Sequence, residues 1–195
     1  MRSHVDRVIV PQDRLARRVA ELARQITADF SQPPIRAGGL TVIPVMTGAM
    51  VFCADLVRQM PIQLRIATVH VSSYPGAATR SQGVKFIGPQ LDLVPGHHVL
   101  LVDDILDSGN TLKSLKPLVE SCGPAVVRVC VLLRKDRPEA RATPVDYVGF
   151  DVPDEFVVGY GLDYDGYYRN LPDIVSLKPE VISVAAGKGD LQNAL

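Results

Sequence analysis

Val99-Leu100-Leu101-Val102 runs directly into Asp103-Asp104, and a few residues on the chain reads Asp107-Ser108-Gly109-Asn110-Thr111-Leu112. An apolar run of this kind suits a strand covered on both faces, the environment of a parallel sheet. Carboxylates at the end of such a strand fall at the sheet's carboxyl edge, where ligands of open α/β sheets collect. Ser108 to Thr111 add small side chains and backbone N–H groups at the start of a helix, a natural cradle for phosphate. Acids beside a phosphate cradle repel the phosphate. The combination suits a ligand that also carries sugar hydroxyls, which need acceptors, and a divalent cation that offsets the charge.

The rest of the chain supplies the sheet this strand needs. Leu15, Val19, Leu22 and Ile26 step at helical spacing, so Pro11 to Asp29 reads as an amphipathic helix with its arginines on the wet face. Pro33-Pro34 and Gly38-Gly39 break the chain. A buried strand is expected over Leu40–Val45, a helix from Gly48 to about Met60, and a strand over Leu64–Ser72. Pro75 to Gly83 lacks periodicity and reads as a mobile loop. Val84–Ile87 is expected to be a short returning strand. After the acidic strand from His98 come a helix over Thr111–Glu120 and strands at Val126–Leu133, Tyr147–Phe150 and Phe156–Val158. The tail Val181–Leu195 reads as loosely attached. Strands alternating with helices at crossover length imply a mostly parallel, twisted sheet flanked by helices.

Size and charge narrow the partners. A chain of 195 residues suits a single domain, 1–195, with its core at about 38–178. Formal net charge is zero and no long block of like charge occurs, which argues against nucleic acid or a membrane surface as partner. An anionic ligand must therefore be held by local N–H groups, a few cations and metal. No apolar run approaches the roughly 18 residues of a membrane span, and no leader is visible at the N-terminus. Cys53, Cys122 and Cys130 show no metal-ligand spacing and read as reduced core thiols of a cytoplasmic protein.

The second specific segment is Phe156-Val157-Val158-Gly159-Tyr160-Gly161-Leu162-Asp163-Tyr164, followed by Arg169-Asn170-Leu171. Aromatic residues make up only 6% of the chain, yet five crowd into 156–168, as a flat heteroaromatic ligand would require. The Asp103–Thr111 segment resembles the phosphoribosyl-pyrophosphate signature of type I phosphoribosyltransferases. The run from Phe156 closely resembles the pattern of their hypoxanthine-guanine members, and the likeness extends over roughly Leu40–Lys178.

The resemblance implies the type I phosphoribosyltransferase fold, with a small hood built from the N- and C-terminal parts. It implies transfer of a phosphoribosyl group from phosphoribosyl pyrophosphate to a 6-oxopurine base in purine salvage, with Mg²⁺, and assembly as a homodimer or homotetramer. Carried over residue by residue, Asp103 and Asp104 engage the ribose hydroxyls directly or through Mg²⁺, and Ser108, Gly109, Asn110 and Thr111 bind the 5′-phosphate. Asp107 is the general base at the purine N7, and Lys135 donates to the exocyclic oxygen. Phe156 stacks on the base, the backbone at Val157 and Asp163 reads its 2-position, Asp163 holds a second Mg²⁺, and Arg169 contacts pyrophosphate. Ser73 and Tyr74 open a lid over the site. Thr47-Gly48 occupies the pyrophosphate loop. There the family usually has Lys or Arg before the glycine, and the loss of that cation could cost about 1–3 kcal/mol of pyrophosphate binding. The acid pair also departs, being Asp-Asp where many relatives carry Glu-Asp. A nucleotide-sensing regulator on the same fold and a pyrimidine-specific relative are the alternatives. Lys135 and the Phe156 run speak against the second, and the lack of a basic face speaks against the first.

Overall fold

The computed structural model describes residues 1–31, 39–72, 85–87 and 94–182. Its elements are, in chain order, β1 (Val5–Val10), α1 (Gln12–Phe30), β2 (Leu40–Met46), α2 (Met50–Val57), β3 (Leu64–Ile66), β4 (Val69–Ser72), β5 (Lys85–Ile87), β6 (His98–Leu106), α3 (Asn110–Glu120), β7 (Val126–Lys135), α4 (Pro138–Ala142), β8 (Tyr147–Val152), β9 (Val157–Val158) and β10 (Ile174–Leu177). They form two compact units, one made of residues 17–154 and the other of 1–16 with 155–195.

The larger unit is built on a sheet ordered β5-β4-β2-β6-β7-β8, with β3 also on β2. Every pairing is parallel except that of β4 with the returning β5. The apolar run of β6 sits at its centre, and Val99 to Val102 are fully buried, as a strand covered on both faces must be. α1 buries Val19, Leu22, Ala23 and Ile26 in this unit, each large aliphatic contributing about 1.5–3 kcal/mol. Its wet face is not idle. Arg18 donates to the Val148 and Gly149 carbonyls of β8 at 2.8 and 2.9 Å.

One strand was expected over Leu64–Ser72, and the structure has two. The reason lies in β2. The Val42 carbonyl accepts the Ala67 N–H at 3.0 Å, and Pro44, two residues on, faces the same side with no N–H to give. The ladder breaks there and resumes where Val45 meets Val69. α2 is shorter than the expected Gly48–Met60. Thr47 to Ala49 form the turn into it, and Gln59 and Met60 bond three residues back in a tightened final turn.

The smaller unit is an antiparallel sheet ordered β1-β10-β9, built from both ends of the chain. Val158, Val175 and Leu177 form its core. Asp173 accepts the Gln12 N–H at 2.8 Å and so caps the start of α1. β1, β10 and α4 were not expected from the sequence. Ser73 and Tyr74, the loop 75–83 and the tail beyond Ile182 lie outside the described residues.

Candidate active site

Parallel pairing brings the carboxyl ends of β2, β6 and β7 to one edge of the larger unit. Along β6, Asp103 shares a face with Val99 and Leu101 and points into the core packed by Leu112 and Leu115 of α3. It is only 5% exposed. Burial, and then the neighbouring Asp104, push its carboxyl well above the ordinary range. Asp104 points to the other face and is half-buried. Its backbone N–H donates to Asp103 Oδ1 at 3.0 Å, and its own Oδ1 accepts the Ile105 N–H at 2.9 Å. Gly48 of the β2–α2 turn lies directly against Asp104 Oδ2. Thr47 beside it is exposed, and the Met46–Thr47 peptide is cis.

After β6 the chain turns through Asp107, Ser108 and Gly109. Gly109 has φ of +75°, and a Cβ there would lie 2.3 Å from Thr143 Oγ1. Only glycine meets both demands. Ser108 Oγ accepts the Asn110 N–H at 3.4 Å, its carbonyl accepts Lys113 Nζ at 3.1 Å, and the α3 N-terminus opens beside them. First-turn amides of a helix lack intrahelical acceptors, which suits a phosphate.

Asp107 is held by two cations, both on the same oxygen. Arg137 NH1 is 2.5 Å from Oδ1 and Lys135 Nζ is 3.8 Å from it. Arg137 Nε also binds Asp154 Oδ2 at 2.6 Å, and Lys135 lies 3.4 Å from Asp154 Oδ1. Lys135 is nearly buried, with 12% of its side chain exposed. Hydrogen bonds from Arg137, and then from Lys135, hold Asp154 below the ordinary carboxylate range. The sequence reading named Asp107 and Lys135 and missed Arg137 and Asp154. The register explains the omission. β7 pairs with β8 so that Arg134 meets Asp151, and the same seventeen-residue offset joins Arg137 to Asp154. No local pattern carries that offset.

In the smaller unit Phe156 is 43% exposed and meets Tyr164 edge-on at 5.4 Å. Val157 is buried in β9 opposite Ser176. Asp163 Oδ1 binds Arg169 NH2 at 2.6 Å and Oδ2 accepts the Gly166 N–H at 2.8 Å. Arg169 NH1 donates to the Gly161 carbonyl at 2.6 Å. Among the described residues no cluster of three or more potential ligands forms a ready metal cage. Asp104, half-buried at the end of β6, nevertheless fits Mg²⁺, which takes one or two carboxylates and completes its shell with water and substrate phosphate, whereas Asp103 is buried on the opposite face. A cation at Asp163 would share that carboxylate with Arg169.

A parallel sheet whose central strand ends in an acid pair, followed by a glycine turn and a helix N-terminus, defines the phosphoribosyltransferase class. Residues 9–165 match the family model described as the phosphoribosyl transferase domain. Over 178 residues the chain is 43% identical to the hypoxanthine-guanine phosphoribosyltransferase of Mycobacterium avium, covering 89% of this chain and 86% of that one. It is 34% identical over 171 residues to the hypoxanthine phosphoribosyltransferase of Escherichia coli strain K12, covering 88% and 94%. The solved hypoxanthine phosphoribosyltransferase of Staphylococcus aureus superposes with a TM-score of 0.83 at 36% identity, covering 93% and 96%. That of Trypanosoma cruzi, in complex with the product IMP, gives 0.80 at 36% identity, covering 91% and 96%. The chain belongs to the hypoxanthine-guanine phosphoribosyltransferase family, the purine-salvage branch of the phosphoribosyltransferases.

Proposed function

We propose that the protein transfers the 5-phosphoribosyl group of phosphoribosyl pyrophosphate to hypoxanthine or guanine, giving IMP or GMP and pyrophosphate. The observation that carries this reading is the Asp107 carboxylate at the sheet edge, held through Oδ1 beside the nearly buried Lys135 ammonium. That pair matches a 6-oxopurine, whose imidazole N–H must be removed and whose exocyclic oxygen needs a donor. Pyrimidine bases present no such N7 proton.

Asp107 takes the N7 proton as N9 bonds to the anomeric carbon and pyrophosphate leaves with the C–O electron pair. General-base assistance of this kind is worth about 10²–10⁴-fold. The developing oxocarbenium charge is met by electrostatic positioning rather than by a covalent intermediate. Ser108 to Thr111 hold the 5′-phosphate, Thr47 and Gly48 face the pyrophosphate, and Asp104 presents its carboxylate to the ribose hydroxyls with Asp103 buried beneath it. Asp104 of the acid pair would hold one Mg²⁺ and Asp163 a second, and the bound metal would supply charge neutralisation for pyrophosphate. Phe156 offers a stacking face, Val157 and Asp163 offer backbone groups to the 2-position, and Arg169 contacts pyrophosphate. The chain acts as one phosphoribosyltransferase domain, in a cytoplasmic homodimer or homotetramer. Among the described residues no helix is long and apolar enough to cross a membrane.

Steady-state nucleotide formation tests the proposal, with Mg²⁺, phosphoribosyl pyrophosphate and hypoxanthine, guanine, xanthine or uracil offered separately. Turnover of hypoxanthine or guanine with uracil inert is expected. Silence with every base would favour the sensor alternative, and turnover of uracil would favour the pyrimidine one.

A further inference from the structure

Asp107, Arg137 and Asp154 form a chain of contacts that the proton transfer itself does not explain. Two cations approach Asp107, and both lie on Oδ1. Among the described residues no hydrogen bond falls on Oδ2. Arg137 is anchored at its other end, where Nε meets Asp154 Oδ2 at 2.6 Å, and Asp154 is fixed in turn by Lys135 at Oδ1. A guanidinium is planar and cannot serve two carboxylates without setting the angle between them.

We propose that Arg137 is a positioning residue for the reaction: braced on Asp154, it holds Asp107 by Oδ1 and leaves Oδ2 as the oxygen that receives the purine N7 proton. The proposal rests on the reading of Asp107 as the base. The N7–H bond breaks as the Oδ2–H bond forms, and its electron pair stays in the imidazole ring. Arg137 neither gains nor loses a proton. Its part is geometric, because an aspartate side chain about 46% exposed would otherwise visit several rotamers, few of which aim an oxygen at the base. Lys135 cannot substitute for it. Its ammonium stands farther from Oδ1 than Arg137 does, is shared with Asp154 and lacks a planar fork.

The test compares Arg137→Ala, Arg137→Lys and Asp107→Asn with the wild type in single-turnover IMP formation. Parallel measurements are phosphoribosyl-pyrophosphate affinity by calorimetry and thermal melting. Misaimed catalytic groups cost about 10- to 100-fold in rate, and Arg137→Ala is expected to lose that much. Its phosphoribosyl-pyrophosphate Kd and its KM for hypoxanthine should stay within about twofold, because the residue acts on the base rather than on binding. Arg137→Lys should recover part of the rate, since a cation remains but the fork does not. With 8-azahypoxanthine, whose five-membered ring releases its proton more easily, the Arg137→Ala defect should shrink by about threefold or more, as Brønsted behaviour requires. A defect of equal size with both bases, one confined to KM, or no defect would overturn the positioning role. Asp107→Asn separates the two readings. If it turns over at the wild-type rate, the base assignment itself fails. If it is inactive while Arg137→Ala is fully active, only the positioning role fails.

Discussion

The Asp104 carboxylate rests on Gly48 so closely that a Cβ added to Gly48 would stand 1.9 Å from Oδ2 and 2.6 Å from Cγ. The turn after β2 and the end of β6 therefore constrain each other, and the tolerance between them is less than one methyl group. Asp104 cannot swing away cheaply, because its short side chain is tied by Oδ1 to the Ile105 N–H.

Gly48→Ala should consequently fail at the site more than in the fold. Overpacking of this kind costs about 1–3 kcal/mol, a loss the larger unit's core can absorb. The displaced Asp104 should raise the KM for phosphoribosyl pyrophosphate about tenfold or more, the scale of one lost charge-assisted contact. Steady-state kinetics beside a thermal melt would check this, and an unchanged KM would show that the carboxylate's position is not critical.

Stability should fall on mild acidification through His98. The ring is buried at the start of β6, edge-on to Phe30, and its Nδ1 has no hydrogen-bond partner among the described residues. Burial, and then His97, lower its pKa from the ordinary value of 6.5. The unfolded chain therefore takes up this proton first. The contribution is complete above about pH 6.5 and is lost as pH drops through the lower folded value. Asp151 and Asp154 are held below 3.8 by their arginines, so their contributions persist until more acidic conditions. Between pH 7 and 5 the melting temperature of the wild type should fall more than that of His98→Leu. Parallel curves would contradict this.

The three thiols should separate cleanly. Burial pushes Cys53 up to about 11 and Cys130 higher still, whereas Cys122 is only half-buried, with its Sγ 3.4 Å from the Leu118 carbonyl. Thiolate is the reactive form. At pH 8 a maleimide should label Cys122 first, and Cys53 and Cys130 only on unfolding, as read by peptide mass spectrometry. Early labelling of Cys53 would count against the packing of α2 on the sheet.

What could be read from the sequence followed how local each signal is. The β6–turn–α3 segment was legible because its apolar run, acid pair and glycine turn are contiguous, and the structure keeps them in that order. α1 was legible from helical spacing, and the aromatic run from its density. The split of β3 from β4 escaped notice, although its cause, Pro44, stands in plain view on the neighbouring strand. β1 and β10 escaped because their pairing, Val5 with Leu177, joins opposite ends of the chain. Four of the six β1 residues are apolar, but only Val10 is buried and Val8 is exposed, so no period marks it. The acid pair was legible as a pair, but which of the two is buried depends on which face of β6 α3 covers, and the structure buries Asp103 and presents Asp104. Arg137 and Asp154 were invisible because their partnership is set by the β7–β8 register.

The most direct test of the account is the Asp107→Asn variant, measured for phosphoribosyl-pyrophosphate affinity and for the rate of IMP formation on the same preparation. Loss of a general base predicts a rate lower by about 10²–10⁴-fold with affinity changed by no more than about threefold, since the contact is made in the transition state. A near-normal rate would contradict the assignment of Asp107 as the base. An equal loss of affinity and rate would place it in ligand binding instead.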